Sequence, residues 1–203
     1  MERSQPPTTS DVARRSEKRS RTAHGILAAA MAIIAREGIV GLSMSALAKD
    51  VGISRQTLYK YFPDVDAVLM AMTDTGSAGL ADLAAEMNAE TDPREALRLF
   101  VTVVHGSIAA GHPSPQALAV ALPARTRDAM KSHEAEAEEL IIDLLRRGCE
   151  MHVFRADLDP LLDGRFIYRA TFASAELALE PGVDTDLLRA HVTDDLIRMV
   201  ESH

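Results

Sequence analysis

Apolar residues recur along this chain at the spacing of helices rather than the alternation of strands. Ile26, Ala30, Ile33 and Ile34 mark a first helix, predicted from about Thr22, a plausible cap, to Glu37, with Gly38 as its stop. Residues 1–20 carry Pro6, Pro7, several Ser/Thr and mixed charge without periodicity, and read as a disordered basic arm. Short helices follow near Ser43–Asp50 and Arg55–Tyr61. A fourth begins at Val65, Val68, Leu69 and Met72 and reaches toward Met87, with Gly76 and Gly79 as weak points. Thr91-Asp92-Pro93 starts a fifth, whose stripe is Leu97, Phe100, Val101, Val104 and Ile108. Beyond Gly111-His112-Pro113-Ser114-Pro115 the pattern predicts a short helix at Gln116–Leu122 and a long one over Ala124–Met151. Two more follow at Leu158–Leu179 and Asp184–Glu201. The fold class is all-α, with about nine helices and no internal repeat.

Residues 44–63 are the most informative stretch. Leu47, Ala48, Val51, Ile53, Leu58 and Tyr61 place one face of each of two short helices against a shared core. Ala48 lets the axes cross closely, and Gly52 stands where the chain must turn through positive φ. Ser54 is positioned to cap the second helix by accepting from an N–H near Thr57. This is a helix-turn-helix pattern, in which the second helix enters the DNA major groove.

The net charge of −8 looks wrong for a DNA-binding protein until it is divided along the chain. Residues 1–62 hold ten Lys/Arg against five Asp/Glu, whereas residues 63–203 hold twelve against twenty-five. A basic head on an acidic body suits a protein that meets phosphates at one end. The single cysteine, Cys149, forbids an intramolecular disulfide, and a reducing cytoplasm fits. The basic cluster Arg14–Arg21 followed by apolar Gly25–Ala35 imitates an export signal. However, the run is Ala-rich, begins well inside the chain and is too short to span a bilayer.

The core Leu47-Ala48…Val51-Gly52-Ile53-Ser54…Thr57-Leu58-Tyr59…Tyr61-Phe62, ahead of an apolar fourth helix, resembles the tetracycline-repressor (TetR) family of transcriptional regulators over about residues 20–72. The resemblance implies a DNA-binding domain at 21–63 and a larger effector-binding and dimerisation domain at 64–203. It assigns base-edge contacts to Ser45, Arg55, Gln56, Thr57, Tyr59 and Lys60. The chemistry agrees: Arg55 can donate a fork to guanine O6 and N7, and Gln56 can pair with adenine N6 and N7. Lys60, Ser43 and the hydroxyls of Thr57, Tyr59 and Tyr61 suit phosphate oxygens, which set register. Arg19 and Arg21 are expected to reach the backbone or minor groove from the arm. One departure stands out, because many family members carry a lysine where this chain has Val65, flanked by Asp64 and Asp66. That shifts phosphate binding toward the arm arginines.

The resemblance also implies a homodimer on a palindromic operator. Phe166, Ala170, Ala173 and Leu177 make one candidate interface stripe, and Leu188, Val192, Leu196 and Met199 another. An apolar effector chamber is expected from Phe100, Val104, His105, Met130, Phe154, Tyr168 and Phe172, although the same residues equally describe a filled core. The seven histidines show no metal-ligand spacing, and no phosphate loop, catalytic triad or dinucleotide fingerprint appears, so neither metal nor cofactor is expected. The leading expectation is a cytoplasmic, ligand-responsive repressor and not an enzyme. The alternatives are an all-helical enzyme or small-molecule binder with a purely structural helix-turn-helix, and a regulator acting through protein contacts alone.

Overall fold

A computed structural model describes residues 9–114 and 122–202. Among these residues there are eight α-helices and no strand: α1 (Thr9–Glu37), α2 (Met44–Val51), α3 (Arg55–Tyr59), α4 (Val65–Ala89), α5 (Pro93–Ala109), α6 (Ala124–Glu150), α7 (Pro160–Leu177) and α8 (Thr185–Val200). A single 3-10 turn, Ile39–Gly41, links α1 to α2. The helix predicted at Gln116–Leu122 lies outside the described residues apart from Leu122. The chain divides into two compact units, Met1–Ala71 and Met72–His203, and the division falls inside α4. No described helix is long and apolar enough to cross a membrane.

In the first unit, α1 packs on α2 and the 3-10 turn, and α2 packs on α3. Ile26, Ala30, Ile33, Leu47 and Leu58 close its core, with Phe62 and Val68 at the start of the next segment. The α1 helix begins at Thr9 and not at Thr22, so residues 9–20 are helical and not a disordered arm. The stretch from Thr9 to His24 has no Pro or Gly and is rich in Arg, Lys, Glu and Ala, so helix propensity extends the apolar helix without adding a stripe. Thr22 lies inside this helix, and its hydroxyl donates to the Lys18 carbonyl at 2.9 Å.

In the second unit, α5 is the hub, packing against α6, α7 and α8. Asp92 caps it by accepting from Arg94 N, with Pro93 in the first turn. The helix α4 runs unbroken through Gly76 and Gly79; each glycine costs about 1 kcal/mol relative to alanine, and burial of Leu83 and Met87 offsets this. Two small residues set the close contacts of α6. A Cβ on Gly164 would stand 2.8 Å from Ile142 Cγ1, and one on Gly148 would stand 2.0 Å from Phe154 Cδ2. The Phe154 ring therefore occupies the space that Gly148 leaves. The C-terminus is tied down by Arg155 N donating to Val200 O at 2.8 Å and by Arg94 Nε donating to Glu201 Oε1 at 2.7 Å.

Gly148→Ala should lower the stability of this unit by about 1–3 kcal/mol, because the added methyl has no room beside a buried ring. Gly106→Ala, whose Cβ meets nothing within 4 Å, should be neutral or stabilising. Thermal melts of the two variants check the contrast.

Candidate nucleic-acid interface

The direction in which α3 points is fixed by the turn that precedes it. Gly52 adopts φ 74 and ψ 29 at the end of α2, a left-handed conformation that favours glycine. Its N–H donates to Lys49 O at 3.3 Å, and Ile53 N–H donates to Ala48 O at 3.0 Å, the paired bonds of a Schellman stop. Ser54 Oγ then accepts from Thr57 N at 3.1 Å and starts α3. Leu58 is fully buried, so the opposite face of this short helix must point out.

That outward face carries Arg55, Gln56, Tyr59 and Lys60, all exposed. Tyr59 is 52% accessible, a large value for an aromatic side chain on a folded surface. Among the described residues neither Arg55 nor Lys60 forms an ion pair. The nearby carboxylates have other partners: Arg36 takes Glu37 at 3.2 Å and Asp50 at 3.4 Å. The face thus keeps its positive charge available, which is the condition the helix-turn-helix reading needs.

Ser43 and Ser45 are exposed at the start of α2. Ser43 is the cap, accepting from Ala46 N at 3.1 Å, which leaves its hydroxyl proton free to donate outward. Thr57 is half-buried, with its hydroxyl 2.8 Å from that of Ser54. Arg21 is exposed on α1, and Arg19 lies with its guanidinium carbon 6.0 Å from the centre of the Tyr61 ring, within cation–π range. Both arginines sit on a helix instead of the flexible arm expected for them. An open groove of about 310 Å³ runs between α1 and the end of α3, lined by Lys18, Arg19, Thr57, Lys60 and Tyr61. Lys18 was missed in the sequence. Its signal is the 4-then-3 spacing of Arg14, Lys18 and Arg21, which shows only once residues 14–21 are read as helix. At the start of α4, Asp64 Oδ1 accepts from Ala67 N at 2.8 Å, so that helix terminus is already satisfied by a carboxylate.

Most of the residues expected to line an effector chamber pack against one another among the described residues. Phe100, Val104, Phe154 and Tyr168 belong to the core of the second unit, and Phe172 packs against it. The Tyr168 ring centre lies 6.4 Å from that of Phe100 and 4.9 Å from that of Phe172, so the rings close on one another. Met130 is half-buried on α6 and is not part of that cluster. His105 is buried as well, with Nε2 at 3.0 Å from Ser174 Oγ. Ser174 donates its one proton to Thr171 O at 2.8 Å, so it accepts from His105, which requires a proton on Nε2. Nδ1 is left buried without a partner.

The two interface stripes fare differently. Phe166, Ala173 and Leu177 are exposed along α7 and Ala170 is partly so, with exposed Leu162 extending the stripe. On α8, Leu196 is buried in its own core, and Val192 and Met199 pack against it. Leu188 is half-buried. Leu196, Val192 and Met199 therefore pack at least in part within their own subunit, and Leu187 is a large exposed apolar residue of α8.

Comparison with known proteins adds a third line. The family described as "Bacterial regulatory proteins, tetR family" matches residues 26–72. The HTH-type transcriptional regulator EthR of Mycolicibacterium smegmatis is 33% identical over 93 residues, covering 44% of this chain and 42% of the relative, so the chain spans less than half the length of that relative. A TetR-family regulator from Agrobacterium tumefaciens shares the fold with a TM-score of 0.78 at 20% identity, over 91% of this chain and 100% of that one. The regulator FadR from Bacillus subtilis, solved in complex with stearoyl-CoA, has a TM-score of 0.70 at 19% identity, over 88% and 99%.

Burial, reinforced by Arg189, lowers the His105 pKa from its ordinary value, and burial lowers that of His133 against the opposing pull of Glu136. The unfolded chain therefore binds protons below about pH 6.5 that the folded chain refuses. Stability should be full above that pH, fall as pH drops toward the lowered folded values, and then level off. Urea midpoints at pH 7.5 and 5.5 should differ less for His105→Gln than for the wild type. Equal differences would contradict a buried neutral imidazole.

Proposed function

We propose that this chain, whose helix-turn-helix domain belongs to the tetR family of bacterial regulatory proteins, is a transcriptional regulator and not an enzyme. In this reading a homodimer binds a palindromic operator in the cytoplasm and releases it when a small effector enters the helical body. The observation that carries the reading is the exposed, unpaired Arg55–Gln56–Lys60 face of α3. Arg55 and Gln56 read base edges, joined by Ser45 and Tyr59, while Ser43, Thr57, Lys60 and Tyr61 hold phosphates. Arg21 approaches the backbone from α1. No lysine opens α4 and its terminus is closed by Asp64, so the phosphate grip falls to α1 and α3.

A dimer supplies what one head lacks, since two heads spaced by whole helical turns of about 34 Å each double the sequence read. Its interface is built on the α7 stripe of Phe166, Ala170, Ala173 and Leu177, with the exposed Leu187 of α8 as a further apolar residue. The effector reading draws on the stearoyl-CoA complex of the Bacillus relative. Here an apolar effector would have to separate the Phe100, Tyr168 and Phe172 rings, and His105 Nδ1 would accept from a hydroxyl or amide that it carries. Its free energy of binding is offset by the packing it disrupts, and it shifts the DNA-binding equilibrium only by its differential affinity for the two states.

A gel shift on the intergenic DNA beside the protein's own gene tests the first claim. Arg55→Ala and Gln56→Ala should each cost about 1–3 kcal/mol on the specific site and leave sequence-blind binding intact. Binding that is sequence-blind in the wild type would end the reading. Phe166→Glu should convert the dimer to a folded monomer, read by sedimentation velocity, and weaken operator binding by far more than its distance from DNA would predict. A wild-type monomer would refute the interface.

A further inference from the structure

We infer that Gly76-Ser77 is a hinge in α4, held straight by His133 of α6, through which movement of the helical body reaches the DNA-binding head, an inference that rests on the regulator reading above. His133 stands over both residues of the pair. Its Nδ1 lies 3.3 Å from Ser77 Oγ, and a Cβ on Gly76 would be 3.5 Å from its Nε2. His133 and Ser77 are half-buried, whereas Gly76 and Gly79 are exposed.

The local sequence makes this the weakest part of α4. Helices bend sharply at prolines, at Gly/Ser pairs and where a group inserts into the backbone ladder. Here a Gly-Ser pair is followed by a second glycine within one turn. Packing demands neither glycine. Among the described residues a methyl on Gly76 would meet the His133 ring at ordinary van der Waals distance, and one on Gly79 would meet nothing within 4 Å. Neither has the positive φ of Gly52. Two residues that weaken the helix therefore stand where neither close approach nor backbone conformation requires them.

A hinge needs one side fixed. Beyond the glycines, Leu83 and Met87 are buried in the core of the second unit, and Arg147 Nη2 donates to Met87 O at 2.9 Å. In the other direction α4 runs back across Ala71 to Val65 and carries the chain to the head. The His133 latch is placed to sense the body. Its helix, α6, packs on α5 and α7, which bear Phe100 and the Tyr168–Phe172 pair. An effector that parts those rings moves α5 and α7 against α6, and a shift of α6 takes the imidazole off Ser77. With the latch open α4 bends, and the fixed spacing of two heads that an operator demands is lost. His133 is thus a positioning residue, acting on DNA only through α4.

Two measurements on the full chain test this. Hydrogen–deuterium exchange follows a peptide spanning residues 72–82, and fluorescence anisotropy compares the intergenic duplex beside the protein's own gene with a random duplex. His133→Ala should speed exchange of that peptide and weaken binding to the intergenic duplex by roughly threefold to thirtyfold, with random-sequence binding unchanged. Ser77→Ala should act in the same direction and add little to His133→Ala, since both remove one contact. Adding Gly76→Ala and Gly79→Ala to His133→Ala should slow the exchange again, by about fivefold per glycine, and restore the intergenic affinity. Gly106→Ala, a comparable helix gain on α5, should not restore it. Wild-type affinity in His133→Ala overturns the hinge while leaving the regulator reading intact, as does lost affinity that the α4 alanines fail to restore or that Gly106→Ala restores equally. Sequence-blind binding by the wild type itself overturns the regulator reading, and the hinge's part in DNA binding with it.

Discussion

The first unit depends on one backbone event, the left-handed turn at Gly52. Two carbonyls that would otherwise be orphaned at the end of α2, those of Ala48 and Lys49, accept bonds there, and Ser54 starts α3 at once. The turn and the buried Leu58 together leave α3 no rotational freedom. Once the apolar side is committed inward, Arg55, Gln56, Tyr59 and Lys60 have nowhere to go except solvent. A side chain at this position with a Cβ would need an unfavourable φ, costing roughly 1–2 kcal/mol, and relaxing that strain would swing the whole exposed face. The functional surface is thus set by local backbone chemistry and needs little from the rest of the chain.

The second unit is governed by a different constraint. Among its described residues, packed rings and close contacts at Gly148 and Gly164 make local rearrangement costly. The exception is polar. His105, Ser174 and Thr171 form a directed chain in which every proton is assigned, and it ends on an acceptor with nothing to accept. A buried lone pair without a donor is an expensive thing to keep.

The two units differ in how much of them was legible in the sequence. The helix-turn-helix was readable because its signals are local: a glycine where φ must be positive, serines where caps are needed, and a five-residue helix with one apolar side. The helix start at Pro93 was readable for the same reason, since Asp92 accepts from the first turn, and the start near Asp184 was close, whereas the cap at Asp159 starts α7 at Pro160 and not Leu158. The start of α1 was not readable, because its described side chains before Arg21 are exposed and leave no periodic trace, and so Lys18 was read only as part of a basic cluster. The role of the stripe Leu188, Val192, Leu196 and Met199 was not legible for another reason. Periodicity says that one face of α8 is apolar, but not whether a subunit's own α5 or a second copy covers it. In α7 the outer face stayed exposed, and only tertiary packing could distinguish the two.

Charge gives the last link between the two readings. The acidic excess of residues 63–203 would favour neutralising any basic residue within reach, and several are neutralised: Arg94 by Glu201, Arg146 by Glu139 and Asp143, and Arg165 and Arg169 by Glu138. On the first unit Arg36 is treated likewise by Glu37 and Asp50. Among the described residues Lys49, Arg125, Lys131 and several others also lack a carboxylate partner, but Lys18, Arg19, Arg55 and Lys60 lie around one groove and one helix face. Exposed ion pairs contribute little stability, at most about 1 kcal/mol each, so their omission here costs the fold almost nothing. It preserves a concentrated positive field for a polyanion, in a protein whose overall charge would otherwise repel one.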